Sequence, residues 1–115
     1  MNIEELRTYC LDKKAVTEGL PFGEGVLVFK VKNKMFLLVN LDDIPLQFNV
    51  KCEPEKAIKL RESFSCVQPG YHMNKTHWNT IILDHSVNDK LLKEWIDHSY
   101  NLVIQSLPKK ERELL

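Results

Sequence analysis

The chain has 115 residues, 43% of them hydrophobic and 28% charged, which is long enough for one domain with its own core and is the composition of neither a disordered nor a membrane-like chain. Sixteen Lys and Arg balance sixteen Asp and Glu, so net charge is zero and argues against a strongly electrostatic binder of the histone kind. No apolar run exceeds five residues, too short to span a bilayer.

The first predicted element is a helix over residues 2–14. Ile3, Leu6 and Cys10 recur at helical spacing, Glu4 and Glu5 open it, and Lys13 and Lys14 close it, as the helix dipole favours. This acidic amphipathic start lacks a basic segment followed by an apolar one, so no secretory signal is expected. Cys10, Cys52 and Cys66 are an odd, scattered set that makes no disulfide framework, and a reducing cytoplasm is the expected setting.

Residues 19–25, GLPFGEG, read as a loop because glycine and proline break periodic structure. Val26 to Val31 and Met35 to Leu41 are β-branched and aromatic-rich, and Lys32-Asn33-Lys34 between them predicts a hairpin. Asp42 to Pro45 turns the chain. Leu46, Phe48 and Val50 then alternate with Gln47, Asn49 and Lys51, the pattern of a half-buried strand. Pro54 suits the first turn of a second helix, with Ala57, Leu60 and Phe64 on one face.

Residues 78–83, WNTIIL, predict another strand, and Asp84 to Asp89 a turn and helix cap. From about 88 to 106, Leu91, Leu92, Trp95, Ile96, Ser99, Leu102 and Val103 trace one helical stripe, ended by Pro108 and a charged tail. The order helix, three strands, helix, strand, helix predicts an α+β two-layer sandwich, with helices on one face of a twisted antiparallel sheet, in a single domain over residues 1–115.

Between the second helix and the last strand lies PGYHMNKTHWNT, residues 69–80, rich in aromatic, amide and imidazole groups and free of carboxylates. Two longer windows, 25–41 and 63–83, also contain no acid, so the middle of the chain is mildly basic. His72, His77, Cys66 and His85 fall in no CxxC or HExxH frame, so no metal site is expected. No phosphate-binding glycine loop and no distinctive nucleophile and base pair is present, and neither catalytic residues, a cofactor nor an enzyme is expected.

Four segments, LPFGEGVLVFKVKNKMFLLVN, FNVKCEPEKAIKLRESF, VQPGYHMNKTHWNTIILD and SYNLVIQSLPKK, together resemble the MmcQ/YjbR family over nearly the whole chain. The most distinctive pieces are Pro21-Phe22-Gly23, Lys34-Met35-Phe36, Lys51-Cys52, Pro54-Glu55 and Pro69 to Lys75 with His77-Trp78-Asn79. Members often carry glycine at the hairpin tip, where this chain has Lys32-Asn33. The resemblance implies a fold of the frataxin/CyaY type and DNA binding through paired hairpin wings.

Chemically, Lys30, Lys32, Lys34 and Lys51 with His72, Asn74, Lys75 and His77 suit phosphate contacts, and Trp78 suits base stacking. The expected function is weak, largely phosphate-directed DNA binding by a monomer. Its alternative is a non-catalytic module binding a small molecule or protein in a cleft between this segment and the Pro21-Phe22-Gly23 loop, lined by His72, His77 and Trp78. An iron-handling role would want an acidic ridge on the first helix, where Arg7, Lys13 and Lys14 offset the acids.

Overall fold

A computed structural model describes residues 1–115. Its elements are α1 (Ile3–Leu11), β1 (Val16–Gly19), β2 (Val26–Val31), β3 (Lys34–Asn40), β4 (Gln47–Lys51), α2 (Pro54–Ser63), β5 (Val67–Pro69), β6 (Trp78–Ile82), α3 (Asp89–Ser106) and α4 (Lys109–Glu113). The strands form one sheet in the order β1-β2-β3-β4-β6-β5, antiparallel throughout. Helices pack on one face, as the α+β reading expected.

Three short elements escape sequence patterning: β1, β5 and α4. β1 and β5 are four- and three-residue edge strands, and edge position tolerates Pro69 at the end of β5. Helix α1 also stops earlier than expected, at Leu11. Asn2 and Glu5 form a reciprocal capping box at its start. Ala15, at φ +63°, then turns the chain into β1. Lys13 lies beyond the helix and pairs with Asp97 of α3.

The β2–β3 hairpin closes on a two-residue loop, with Val31 paired to Lys34. Lys32 and Asn33 both have positive φ, +50° and +66°, the backbone of a type I′ turn without its usual glycine. Opposite this tip the register shifts between Phe29 and Lys30, which pair with Leu37 and Met35. Phe36 is therefore the extra residue of a β-bulge, and both Phe36 and Leu37 are buried in the main core. That core lies between sheet and helices and is built from Leu27, Phe29, Val31, Phe48, Val50 and Ile81 on the strands, met by Leu6, Leu92, Trp95, Ile96 and Val103.

Polar bonds lock the helices to this layer. Ser99 of α3 donates to the carbonyl of Phe36 and accepts from the backbone N–H of Lys51. Nearby, the Glu53 N–H donates to His98 Nε2 at 3.2 Å, which requires that nitrogen to be unprotonated. Burial, with Lys56 nearby, lowers the His98 pKa below its ordinary value of 6.5. A lowered histidine pKa means the unfolded chain takes up the proton first. Stability is therefore expected to fall as pH drops below about 6.5, and His98→Gln to flatten that fall; denaturant midpoints at pH 7.5 and 5.5 measure both.

Candidate functional site

The sheet face away from the helices is where the PGYHMNKTHWNT segment folds. Strand alternation sets its rows. Val28, Leu38, Asn49 and Thr80 are successive cross-strand partners on β2, β3, β4 and β6. One step along, Val26, Asn40 and Gln47 form a second row. Val28, Leu38 and Trp78 make a small cluster of their own on this face, packed by Val26, Met35 and Met73.

Residues 70–77 lie over this face as a tied loop. The Tyr71 N–H donates to Thr80 Oγ at 2.9 Å, and the Thr80 hydroxyl in turn donates to Asn49 Oδ1. Asn74 organises the far end, its side chain accepting from the Thr76 N–H and its carbonyl from the N–H groups of His77 and Trp78. Gly70 has no room for a side chain, because a Cβ there would lie 2.8 Å from the Trp78 Cβ and 2.9 Å from its carbonyl oxygen. From α2, Arg61 donates to the Asn79 side chain at 2.7 Å and to the carbonyls of Lys75 and Trp78.

Loop and sheet enclose a cleft of about 420 Å³, within the range of about 300–1,000 Å³ usual for small-molecule sites. Its floor is Val26, Met35, Leu38, Asn49 and Thr80, with Asn40, Asp43 and Gln47 at one end. Phe22 stands on one side, and Tyr71, His72 and Met73 on the other. Phe22 is 63% exposed and Tyr71 67%, large apolar surfaces left open to solvent at the mouth. Tyr71 and His72 hold their rings 4.0 Å apart, His72 at φ +58°.

Polar groups at this end keep bonding capacity in hand. Gln47 Nε2 donates to Asp43 at 2.7 Å, and Asn40 Oδ1 accepts from the Asp42 N–H. The Asn49 and Asn40 amide N–H groups, the Gln47 carbonyl oxygen and the second Asp43 oxygen have no partner within the protein.

Charge is sorted along the strand direction. The connections at one end of the sheet, residues 20–25, 41–46 and 83–88, hold Glu24, Asp42, Asp43 and Asp84 and no Lys or Arg. At the other end stand Lys13, Lys14, Lys32 and Lys75 in the connections and Lys30, Lys34 and Lys51 at strand ends, against Asp12 and Glu53. A net charge of zero conceals this polarity.

The residues expected to contact DNA distribute over both faces of that basic end. Lys30 and Lys51 fall on the cleft face, Lys30 paired with Met35 and Lys51 with Trp78. Lys34 turns to the helix side, its Nζ 3.5 Å from Ser106 Oγ, and Lys32 is exposed at the hairpin tip. His72, Asn74, Lys75 and His77 are exposed. Trp78 is 8% exposed and packs with Val28 and Leu38, so its ring is unavailable for stacking. Of the three residues expected to line a cleft, only His72 does so.

Asn40, Asp43, Gln47, Asn49, Thr80 and Arg61 belong to no motif that marks them as site residues. Part of the signal was present in the alternation of β4, which puts two amides and Lys51 on one face. What they face depends on strand order.

Fold and cleft together define an α+β protein with an open six-stranded antiparallel sheet, helices on one face and a ligand-sized cleft on the other. The family model described as YjbR matches residues 11–102, and the chain belongs to that family. It is 33% identical over 115 residues to the uncharacterised YjbR protein of Escherichia coli strain K12, covering all of this chain and 98% of that one. With the uncharacterised YbdF of Escherichia coli O157:H7 it shares 35% identity over 94 residues, 81% of this chain and 76% of the relative. Among solved structures, the DR2400 protein of Deinococcus radiodurans, described with a DUF419 domain, superposes with a TM-score of 0.94 at 36% identity, covering 98% and 86% of the two chains. A Pseudomonas syringae protein matches with a TM-score of 0.77 at 26% identity, covering 89% and 98%. No helix is long and apolar enough to cross a membrane.

Proposed function

We propose that this YjbR-family chain is a non-catalytic binding module whose working site is the cleft on the helix-free face. The observation that carries this reading is the coincidence of an apolar floor, two exposed aromatic side walls and unpartnered amide groups in one cavity of about 420 Å³. Apolar area supplies affinity in such a site, and a few fixed polar groups supply orientation.

The test is a nitrogen-proton NMR titration with small aromatic amides, benzamide and indole-3-carboxamide. Shifts are expected at Asn40, Gln47, Asn49, Tyr71 and Met73. Phe22→Ala removes an exposed wall and is expected to weaken binding about tenfold, roughly the 1.4 kcal/mol of one stacking contact, without changing thermal stability. Shifts scattered over the surface, or none at millimolar ligand, would refute the cleft as a site.

A second reading, weak phosphate-directed DNA binding, is favoured by the gathering of lysines at one end of the sheet. With about four phosphate contacts, affinity is expected to drop about a hundredfold between 50 and 200 mM salt. Titration with a short duplex should then move Lys30 to Lys34, Lys51 and Lys75 to His77. A silent spectrum at low salt removes this reading.

A further inference from the structure

The two features of the helix-free face, an amide-lined cleft and a lysine end, lie on the same strands. Asn49 and Lys51 are two residues apart on β4 and point to the same side, about 7 Å along the strand. Lys30 faces the same way one strand beyond β3, and Lys51 is level with Trp78 where the loop meets β6. The acids of this end belong to helix termini on the other face: Asp12 is the C-cap of α1, and the N–H of Glu53 bonds His98 of α3. Glu18, the acid nearest Lys30 along the sheet, is a partner of Phe29 and so turns to the helix side, where Arg7 holds it. The carboxylate of the cleft, Asp43, sits at the opposite end.

We infer that the cleft receives a nucleobase, its edge read by Asn49, Gln47 and Asp43 and its attached phosphate directed to Lys51 and Lys30. The inference rests on the cleft reading above and names its ligand. Primary amides present a donor and an acceptor in one plane, and a heterocyclic base presents the complementary pair along its edge. The Asn49 N–H groups are free for a ring nitrogen or carbonyl oxygen, because Thr80 already occupies Asn49 Oδ1. The Gln47 oxygen and the second Asp43 oxygen both accept, and an exocyclic amine brings two N–H groups to them where the uracil edge brings a single ring N–H, which favours cytosine, adenine or guanine over uracil. Phe22 and the Tyr71–His72 pair offer ring faces for stacking, a contact every base makes.

Arrangement by charge decides between this ligand and others that an apolar cleft accepts. A plain aromatic amide uses the amide end and leaves the lysines idle. A free dicarboxylate would meet Asp43. A base joined through a sugar to phosphate fills the aromatic slot, presents an uncharged edge to the amide end and brings its anion to the only end of the face that is cationic. The same chemistry comes from two sources, a free nucleotide or one residue of a single strand.

The decisive experiment titrates the labelled 115-residue chain with 5′-CMP, and in parallel with cytidine, 5′-UMP, inorganic phosphate, hexa-deoxycytidylate and benzamide. CMP is expected to move the Asn49 and Gln47 side-chain amides and Tyr71 to Met73, and to bind at least fivefold more tightly than UMP. Lys51→Ala should weaken CMP at least threefold and leave cytidine unchanged, while Asn49→Leu weakens both about tenfold. Tighter binding of the hexanucleotide, with added shifts at Lys32 and Lys75, assigns the source to a strand; equal binding per residue assigns it to the free nucleotide. Benzamide in the cleft with CMP absent from it overturns the nucleobase assignment and leaves the cleft reading standing. Neither ligand in the cleft overturns both, and CMP shifts reproduced by inorganic phosphate alone overturn the assignment as well.

Discussion

Ser99→Ala is expected to destabilise the fold by about 3 kcal/mol, more than any other single-atom deletion in α3. The hydroxyl is fully buried and is bonded on both sides, donating to the Phe36 carbonyl and accepting from the Lys51 N–H. The two groups stand one step beyond the Leu37–Val50 pair of the β3–β4 register, with the hydroxyl inserted between them. The bulge displaces Phe36 from the β2–β3 ladder, and Lys51 is the last residue of β4. Each buried group left without a bond costs about 1–3 kcal/mol, and loss of a small side chain adds little cavity. For a domain of this size the melting temperature should drop by roughly 10 °C. Denaturant unfolding of Ser99→Ala beside Asn101→Ala, an exposed neighbour on the same helix, measures the effect. A loss below about 1 kcal/mol would show that water or a backbone shift satisfies both groups.

Ser99 also shows what was legible in the sequence and what was not. It stands in the apolar stripe of α3, and a serine inside such a stripe signals a buried hydroxyl with a partner. The partner could not be read, because the bulge at Phe36 arises from the register of two strands. The longer elements were readable for the same reason: β4 and α3 each bury one face, and burial imposes its period on the residue types, whereas β2 and β3 are buried on both faces and read as continuous β-branched and aromatic runs. β1, with four residues, and β5, with three, repeat too few times to impose one. α4 carries its five residues on a highly charged segment with no buried face.

The candidate site divides in the same way. PGYHMNKTHWNT stood out by composition, and it does form a wall of the cleft. Its most conspicuous residue for stacking, Trp78, belongs to the floor side and is packed under Met73, whereas the exposed ring is Tyr71. The polar end of the cleft comes from β3 and β4, whose amides look like ordinary solvent-facing residues until β6 is placed beside β4. Placing β6 beside β4 pairs Gln47 with Ile82 and Lys51 with Trp78, residues far apart in the chain, and no local pattern encodes it. The charge sorting is equally a property of topology: Glu24, Asp42, Asp43 and Asp84 lie in connections far apart along the chain, and only antiparallel pairing brings them to one end.

Arg61→Ala is expected to cost about 3 kcal/mol and, unlike Ser99→Ala, to loosen the cleft wall. Arg61 stands one helical turn after the buried Ala57, at the flank of the packed face of α2, where a long cation ordinarily snorkels to solvent. Instead its guanidinium spans α2 and the loop: one N–H meets the Asn79 side chain, and another group reaches the carbonyls of Lys75 and Trp78. Asn79 is 1% exposed, and its oxygen loses its donor in the variant. Hydrogen bonds from a charged donor contribute about 1.5–3 kcal/mol each, less than additively when shared by one side chain. Arg61→Lys should recover less than half of the loss, since an ammonium on a flexible stem cannot fork to two directions in one plane. Amide exchange separates this effect from a general loss of stability. In Arg61→Ala, protection of His77 and Trp78, whose N–H groups bond to Asn74, should fall well beyond the global change, and cleft ligands should weaken in proportion. In Ser99→Ala the same amides should track global stability alone. Equal protection patterns in the two variants would mean that the loop is held by Thr80 and Asn74 and that the guanidinium is dispensable to the site.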